Sequence, residues 1–283
     1  EPPRPPTPEP TVSTYTRDDD QIRDKDSWRE IKIRLVGSHP LWAHHLWNAA
    51  LALASYLDAH QELYHDHCVL ELGAGGALPS IVTAKNGAQK VVVTDYPDAS
   101  LADNMTYNIA ENVGDESPRV DVQGYIWGRP VGPLLDVLPS SKKFQLVILS
   151  DLIFNHSQGY IWGRPVGPLL DVLPSSKKFQ LVILSDLIFN HSQHDALLKT
   201  CELVLAPVNP DAPEETEPCV LVFYSHHRPH LAHRDMEFFT NAEERGWVCK
   251  EIVTRTFPPM FPEDSGEESV RSTVHGWRLT RQK

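Results

Sequence analysis

The sequence predicts an α/β fold in which helices cover both faces of a mostly parallel sheet. Short runs rich in Val, Ile and Leu alternate with longer stretches whose apolar residues recur at helical spacing. Strands that are apolar along their whole length are typical of parallel sheets, because both of their faces are buried. The last two strand-like segments, 247–257 and 272–282, follow each other without an intervening helix and predict an antiparallel pair.

The individual elements follow from the same patterns. WREIKIRL at 28–35 predicts a strand, and residues 41–60 predict an amphipathic helix because Leu46, Leu53 and Leu57 recur at helical spacing. Further strands are predicted at 67–73, 90–95, 119–123, 179–186 and 218–226, and further helices at 78–87, 98–113, 194–205 and 231–246. A seven-stranded sheet with a C-terminal antiparallel hairpin is the Rossmann-like arrangement of class I methyltransferases.

A single series of strands and helices predicts one domain, residues 23–283, preceded by a tail. Residues 1–22 are rich in proline and contain an acidic run at 18–20, a composition that predicts a disordered, solvated segment. No apolar stretch approaches the roughly 20 residues that a membrane span requires, and no secretory signal is visible. We therefore expect no membrane association.

Charge and cysteine use narrow the classes of partner and compartment. The 38 acidic and 26 basic residues give a formal charge of −12, which disfavours a nucleic-acid substrate because such a partner needs a basic face. The four cysteines are scattered without metal-ligand spacing. Free, mostly buried thiols in a reducing, cytoplasmic compartment fit this pattern best, and we expect no metal site.

A perfect tandem repeat interrupts the fold. Residues 124–158 recur without one change at 159–193, which indicates a recent duplication, or an error in splicing or gene prediction, rather than a repeat architecture. The predicted sheet has one slot for the strand FQLVILSD, although 144–151 and 179–186 both carry it. We expect the first copy to supply Trp127, the second copy to supply the strand and Asp186, and the surplus to loop out.

The clearest chemical motif is the glycine-rich loop at 71–79. Glu71, Gly73, Ala74 and Gly75 follow a strand and open a helix, the context in which a nucleotide-binding loop lets its backbone approach a ligand. Leu78 stands where a dinucleotide fingerprint has its third glycine, so the looser E/D-x-G-x-G form of methyltransferases fits better. The alternative is a helix start with incidental glycines.

Two further side chains fit a nucleoside site. Asp95 ends the next strand, where a carboxylate accepts hydrogen bonds from ribose hydroxyls; the alternative is a helix N-cap. Trp127 in GYIWG either stacks on an adenine ring or fills the core.

The segment after the strand at 179–186 carries the candidate catalytic residues. Ser185, Asp186, Asn190 and His191 leave the carboxyl end of that strand, where open α/β sheets bind ligands. The segment lacks the N/D-P-P-Y/F motif of enzymes that methylate base amines, which argues against a nucleobase substrate. The histidines at 226, 227, 230 and 233 lack regular ligand spacing, so we interpret them as a loop near the substrate rather than a metal site.

Together, SHPLWAHHLWNAALALASYLD, VLELGAGGALPSI, VVVTDYPD, GYIWG and SDLIFNHSQH resemble the fungal family-16-type methyltransferases that modify the N-terminus and adjacent lysine of elongation factor 1-alpha. The resemblance runs from about residue 38 to the C-terminus, apart from the duplicate. It implies S-adenosylmethionine as cofactor and a cofactor site that contains Trp47, Glu71, Gly73, Ala74, Gly75, Asp95, Trp127 and Ser185. Trp162 and Ser150 are identical candidates in the other copies.

The same resemblance implies a protein amine as the methyl acceptor, first the terminal glycine amine and then the lysine that follows it. An amine must be neutral to attack a methyl group, and a terminal amine begins with a pKa of ~7.7–8.0 against ~10.4 for lysine. Asp186, Asn190 and His191 are the candidates to orient this amine, with His191 as proton acceptor. Three alternatives stay open: a nicotinamide-like metabolite as substrate, a cofactor-binding protein inactivated by the duplication, and a dinucleotide-dependent oxidoreductase, which Leu78 disfavours.

Overall fold

The computed structural model describes residues 8–40, 42–139, 142–150, 178–208 and 217–282, with the side chains of 115–117 left aside. Its strands are β1 (Thr11–Thr16), β2 (Glu30–Leu35), β3 (Cys68–Leu72), β4 (Lys90–Asp95), β5 (Val120–Gly124), β6 (Leu146–Ser150), β7 (Leu181–Ser185), β8 (Cys219–Ser225), β9 (Trp247–Thr256) and β10 (Thr273–Arg281). Its helices are α1 (Asn48–Ala59), α2 (Leu78–Lys85), α3 (Ala99–Val113), α4 (Gly132–Asp136), α5 (His194–Val204), α6 (Ala232–Glu244) and α7 (Glu268–Ser272).

The central sheet has eight strands in the order β5-β4-β3-β6-β7-β8-β10-β9. Strands β5 to β8 in this order are parallel, and β10 runs antiparallel to both β8 and β9. Apolar side chains of α1, α2 and α3 pack on one face, and those of α4, α5 and α6 pack on the other. The α/β fold with a mostly parallel sheet and an antiparallel C-terminal pair is thus confirmed.

The strand count differs from the sequence prediction, because both copies of the repeated strand enter the sheet. β6 of the first copy and β7 of the second copy are parallel neighbours, with Leu146 opposite Leu181 and Ser150 opposite Ser185. The prediction of one slot, with the second strand looped out, is therefore wrong. The physical reason is that a parallel strand buried on both faces offers two hydrogen-bonding edges, and an identical strand satisfies one of them. The rest of the surplus, 151–177, lies outside the described residues.

The N-terminal region also differs from the predicted tail at 1–22. Strand β1 pairs antiparallel with β2, and Tyr15 is buried in the core. Arg17 is buried too, and its Nε and Nη2 atoms each donate to the Asp58 carboxylate on α1 at 2.8 Å. The prediction of disorder is wrong for 11–17, because this buried ion pair and the β1–β2 ladder fix the chain there.

The segment 41–60 is helical only in its second half. Helix α1 begins at Asn48, with Trp47 as its N-cap in an extended conformation, and the residues from Trp42 to His45 form a turn with a bend on each side. Ala49, Leu53 and Leu57 are buried, as the helical spacing predicts. The preceding turns carry aromatic rings across the carboxyl edge of the sheet, where they contribute to the site described below.

The described ranges include all four cysteines of the chain. Cys68, Cys201 and Cys219 are buried free thiols, and Cys249 is a partly buried one. Within these ranges, no group of three or more His, Cys, Asp or Glu side chains is arranged to hold a metal ion. Of the seven helices described here, none is long and apolar enough to cross a bilayer.

Candidate functional site

The loop between β3 and α2 turns sharply and leaves its backbone accessible. Gly73, Gly75 and Ala77 adopt positive φ angles of 75°, 51° and 65°, a conformation that glycine adopts without steric cost. The N–H groups of Gly73 and Ala74 both donate to the Thr94 carbonyl at 3.0 Å, which ties the loop to β4. A Cβ atom built on Gly75 would meet no atom within 4 Å, so open space lies next to the loop at this position.

Asp95 lies at the carboxyl end of β4, directly beside this loop. Its Oδ2 atom accepts from the Gly75 N–H at 2.8 Å, and its Oδ1 atom accepts from the Tyr96 N–H at 2.7 Å. Burial raises the pKa of the Asp95 carboxyl, while these two hydrogen bonds and nearby His39 oppose the rise. The carboxylate is therefore fixed in position, and each oxygen keeps a lone pair for a further donor.

Glu71 binds protein groups rather than facing the open space. Its Oε2 atom accepts from the Ser80 N–H at 3.2 Å and from the Ser80 hydroxyl, and its Oε1 atom accepts from the Ser150 hydroxyl at 3.2 Å. The side chain is 1% exposed, and burial raises its pKa to about 7. Glu71 thus links β3, α2 and β6, and its predicted role as a cofactor-binding residue stays a prediction.

The GYIWG segment of the first copy lies next to Asp95. The Tyr125 N–H donates to the Asp95 carbonyl at 2.8 Å, directly after β5. Trp127 is partly buried and packs against the core cluster that contains α4 and α5, so the core-filling interpretation holds for part of its ring. Its identical counterpart Trp162 lies outside the described residues.

The two copies of the strand give the two serines different neighbours. β6 is the strand that pairs with β3, and its last residue, Ser150, contacts Glu71. β7 is one strand further away and pairs with β8, so Ser185 lies between Ser150 and Phe223 in the sheet. Ser185 was predicted for the cofactor site, and the structure instead places Ser150 beside the glycine loop.

Asp186 follows β7 in a strained conformation. Its φ angle is 56°, which is uncommon for a residue other than glycine, and its N–H donates to the Phe223 carbonyl on β8 at 2.8 Å. The Oδ1 atom of Asp186 lies 2.9 Å from Nε2 of His227. The side chains are 7% and 23% exposed, respectively, so this carboxylate and imidazole form a mostly buried pair.

His191 and Asn190, the other predicted catalytic residues, have different partners. The Nε2 atom of His191 lies 2.6 Å from Asp235 Oδ1 on α6, and the Nδ1 atom of His226 lies 2.7 Å from Asp235 Oδ2. The Oδ1 atom of Asn190 accepts from the Ser192 hydroxyl at 2.8 Å. The geometry therefore engages His191 in a buried His–Asp–His cluster.

A cavity of about 360 Å³ opens where β7, β8 and the turns before α1 meet. Its walls include Trp42, Trp47, Asp186, Phe189, His227 and Phe261. The Trp47 ring meets the rings of His227 and Phe261 edge to face, with centroids 5.5 Å and 6.1 Å apart. Trp47 was predicted as a cofactor residue, and the structure places it in this cavity with Asp186.

Sequence reasoning placed His227 only in a histidine-rich loop near the substrate, and it did not single out Phe261. The pair His226-His227 directly follows β8 at the carboxyl edge, which is a usable signal, although it does not tell which imidazole faces the cavity. Phe261 lies between β9 and α7 in a segment without a motif. Only the fold brings it next to Trp42, with ring centroids 6.0 Å apart.

The residues around Gly75 fit a nucleoside cofactor. The open space beside the loop, the accessible backbone and the fixed Asp95 carboxylate are what a ribose and its neighbouring groups require. Asp186 after β7 and His227 after β8 lie on the other side of Ser150 in the strand order, and Trp47 lines the same cavity as these two residues. The carboxyl edge thus carries two adjacent regions, one suited to a nucleoside and one lined by aromatic rings and carboxylates.

Comparison with solved structures supports the fold. A methyltransferase crystallised in complex with SAH aligns with a TM-score of 0.52 at 9% sequence identity, covering 88% of this chain and 53% of that one. At this identity the likeness shows the fold alone, and it agrees with the mostly parallel sheet described above.

Comparison with sequences shows the family. A family model described as lysine methyltransferase matches residues 29–161. The protein N-terminal and lysine N-methyltransferase EFM7 of Cryptococcus neoformans is 44% identical over 267 residues, covering 90% of this chain and 77% of the relative. The Schizosaccharomyces pombe protein of the same name is 37% identical over 279 residues, covering 98% and 91%. With most of both relatives covered and a glycine loop that fits the nucleoside, this chain belongs to the protein N-terminal and lysine N-methyltransferases and is an S-adenosylmethionine-dependent enzyme.

Proposed function

We propose that the chain methylates the N-terminal amine and the adjacent lysine of elongation factor 1-alpha. The observation that carries the methyl-transfer part of the proposal is the Asp95 carboxylate, held by the Gly75 and Tyr96 N–H groups beside an open glycine loop that suits the cofactor. The relatives of the chain are named for N-terminal and lysine methylation. Its net charge of −12 suits a basic protein segment as the acceptor.

In this proposal the cofactor lies over the glycine loop. Gly73, Ala74 and Gly75 present their backbone to it, and Asp95 accepts hydrogen bonds from the ribose hydroxyls. Trp127 lines the adenine side, because GYIWG is anchored to Asp95 through Tyr125. Ser150, rather than Ser185, completes the site, since β6 is the neighbour of β3.

The chemistry asks little of the protein beyond desolvation and alignment. The cofactor supplies a methyl group on a positively charged sulfur. The protein must exclude water from the acceptor nitrogen, hold it in line with that methyl group, and provide a route for its proton. The four cysteines are free thiols, which supports a reducing, cytoplasmic location.

Transfer of a radiolabelled methyl group tests the proposed substrate. We expect label on recombinant elongation factor 1-alpha and, by mass spectrometry, on its N-terminal peptide. Nicotinamide serves as the control for a small-molecule enzyme. Label on nicotinamide, with none on the protein, would replace the proposal with metabolite methylation.

One observation favours a second function, that of a cofactor-binding protein without transfer. Strand β6 lies between β3 and β7, so this additional strand separates Asp186, which follows β7, from the glycine loop, which follows β3. Calorimetry with S-adenosylmethionine distinguishes the two functions. Tight binding without methyl transfer to any protein amine would support the second.

A further inference from the structure

The cavity beside Asp186 has the composition of a site for an organic cation. Aromatic rings come from Trp42, Trp47, Phe189 and Phe261, carboxylates come from Asp186 and Asp264, and the side chains of two arginines also lie in the wall. Aromatic faces attract ammonium groups through their quadrupole, and a carboxylate adds direct charge attraction. The cavity volume of about 360 Å³ is at the small end of the range for ligand pockets, which suits one amine-bearing chain end.

Two arginines hold the walls of this cavity in place. Arg228 donates from Nη2 to the Phe189 carbonyl at 3.0 Å, and Arg271 donates from Nη1 to the Phe261 carbonyl at 2.8 Å. Arg271 is 8% exposed, and its Nε–H has no hydrogen-bond partner among the described residues. Both arginine side chains are thus tied to carbonyl groups of the cavity wall.

The Asp186–His227 pair supplies a proton acceptor next to this site. When the Nε2–H of His227 donates to Asp186 Oδ1, at 2.9 Å, the lone pair of the neutral imidazole is on Nδ1. The neighbouring His226 and the predicted acceptor His191 are both engaged by Asp235. Of these three imidazoles, His227 is the one that lines the cavity.

We propose that this cavity binds the acceptor amine of the protein substrate and that His227, oriented by Asp186, takes the proton of its ammonium group. The inference rests on the proposed function. The ammonium N–H proton passes to the imidazole, which becomes a cation. The freed nitrogen lone pair then forms the N–C bond to the methyl group as the C–S bond breaks, and the imidazolium releases its proton to solvent. The other charged groups that face His227 across the cavity are those of Arg228, Asp264 and Arg271.

Binding of a synthetic peptide that begins Gly-Lys tests the site on the full 283-residue chain, whether or not methyl transfer occurs. We expect acetylation of the peptide N-terminus, Asp186→Asn and Phe261→Ala each to weaken binding about tenfold or more. Asn tolerates the positive φ angle at 186, so Asp186→Asn keeps the backbone. Equal affinity of the free and acetylated peptides, or unchanged affinity in both variants, overturns the site. Peptide binding without methyl transfer would contradict the proposed function but would still support this cavity as the amine-binding site.

The pH dependence of single-turnover transfer tests His227. About a tenth of a terminal amine with a pKa near 8 is neutral at pH 7, so His227→Gln should slow transfer to this amine about tenfold there. The difference should close near pH 9.5, which a merely structural defect would not produce. His65→Gln, at an exposed histidine just before β3 and thus at the amino edge of the sheet, is the matched control and should transfer at the rate of the unmodified chain. If His227→Gln and the unmodified chain transfer methyl groups at equal rates at pH 7, His227 is not the proton acceptor. This holds even where both rates are at background level.

Discussion

Removing one copy of the repeat should bring the two halves of the site together. Deleting 159–193 leaves 248 of the 283 residues and one strand in place of β6 and β7. The registers allow this without a shift, because Val69 on β3 is paired with Leu146, Leu146 with Leu181, and Leu181 with Cys219 on β8. The remaining leucine would therefore pair with Val69 on one side and Cys219 on the other.

The expected size of the effect follows from strand geometry. One additional strand separates the β8 side of the edge from the glycine loop by about 4.8 Å. A misplacement of about 1 Å at a reacting centre can already cost 10²-fold in rate. We therefore expect the 248-residue form to transfer methyl groups at least about 10²-fold faster than the 283-residue chain.

Single-turnover methyl transfer to elongation factor 1-alpha measures this difference, and thermal unfolding of both forms provides the control. The shortened form should unfold in one cooperative transition, since the deletion removes a strand without opening the ladder on either side. Equal transfer rates would refute the reasoning about separation. Loss of cooperative folding would show that the second copy has become a necessary part of the sheet.

Three further predictions concern the cofactor side. Asp95→Ala should weaken S-adenosylmethionine binding by roughly 1–3 kcal/mol in calorimetry, because two backbone donors and the ribose lose their acceptor; Asp98→Ala, which removes only the side-chain cap of α3, should not. Gly75→Val should abolish cofactor binding, because a branched side chain is strained at this positive φ angle and fills the open space beside the loop. Gly114→Val is the control, since it carries similar backbone strain away from the loop. Equal cofactor affinity in both variants would show that the loop does not bind the cofactor. Burial raises the pKa of Glu71 from 4.5 to about 7, so the folded chain holds an extra proton between these values and its free energy of unfolding should fall as pH rises through them. The free energy of unfolding should fall by about 3 kcal/mol, at 1.36 kcal/mol per pKa unit. Denaturant titrations of Glu71→Gln at several pH values should lack this fall. The same pH dependence in Glu71→Gln and the unmodified chain would show that Glu71 does not cause it.

The βα series and the glycine loop were predictable from the sequence because they depend on local patterns. The runs that became β3, β4 and β8 are apolar along their length, and the loop at 73–77 shows its need for positive φ angles through its glycines. Asp95 follows from the same logic, since it ends a strand next to that loop. These features need no information about distant residues.

The features that could not be predicted depend on long-range contacts. The strand β1 is fixed by Arg17 and Asp58, which are 41 residues apart, and its polar sequence resembles an unfolded segment. The pairing of β6 with β7 could not be predicted, because the sequence of one strand does not indicate how many strands the sheet contains. His191 and His227 both follow buried strands, and only the position of Asp235 on α6 decides which of them faces away from the cavity.

The position of the additional strand explains why each half of the site keeps its own geometry. The glycine loop, Asp95 and Ser150 are joined through β4, β3 and β6, all on the first-copy side. Asp186, His227 and the cavity walls are joined through β7, β8 and the turns around Phe261, all on the second-copy side. Since the strand registers continue without a shift from β3 through β6 and β7 to β8, we expect cofactor affinity and peptide affinity to match in the 283-residue and 248-residue forms while the transfer rate differs. A change in either affinity on deletion would show instead that the two halves depend on each other.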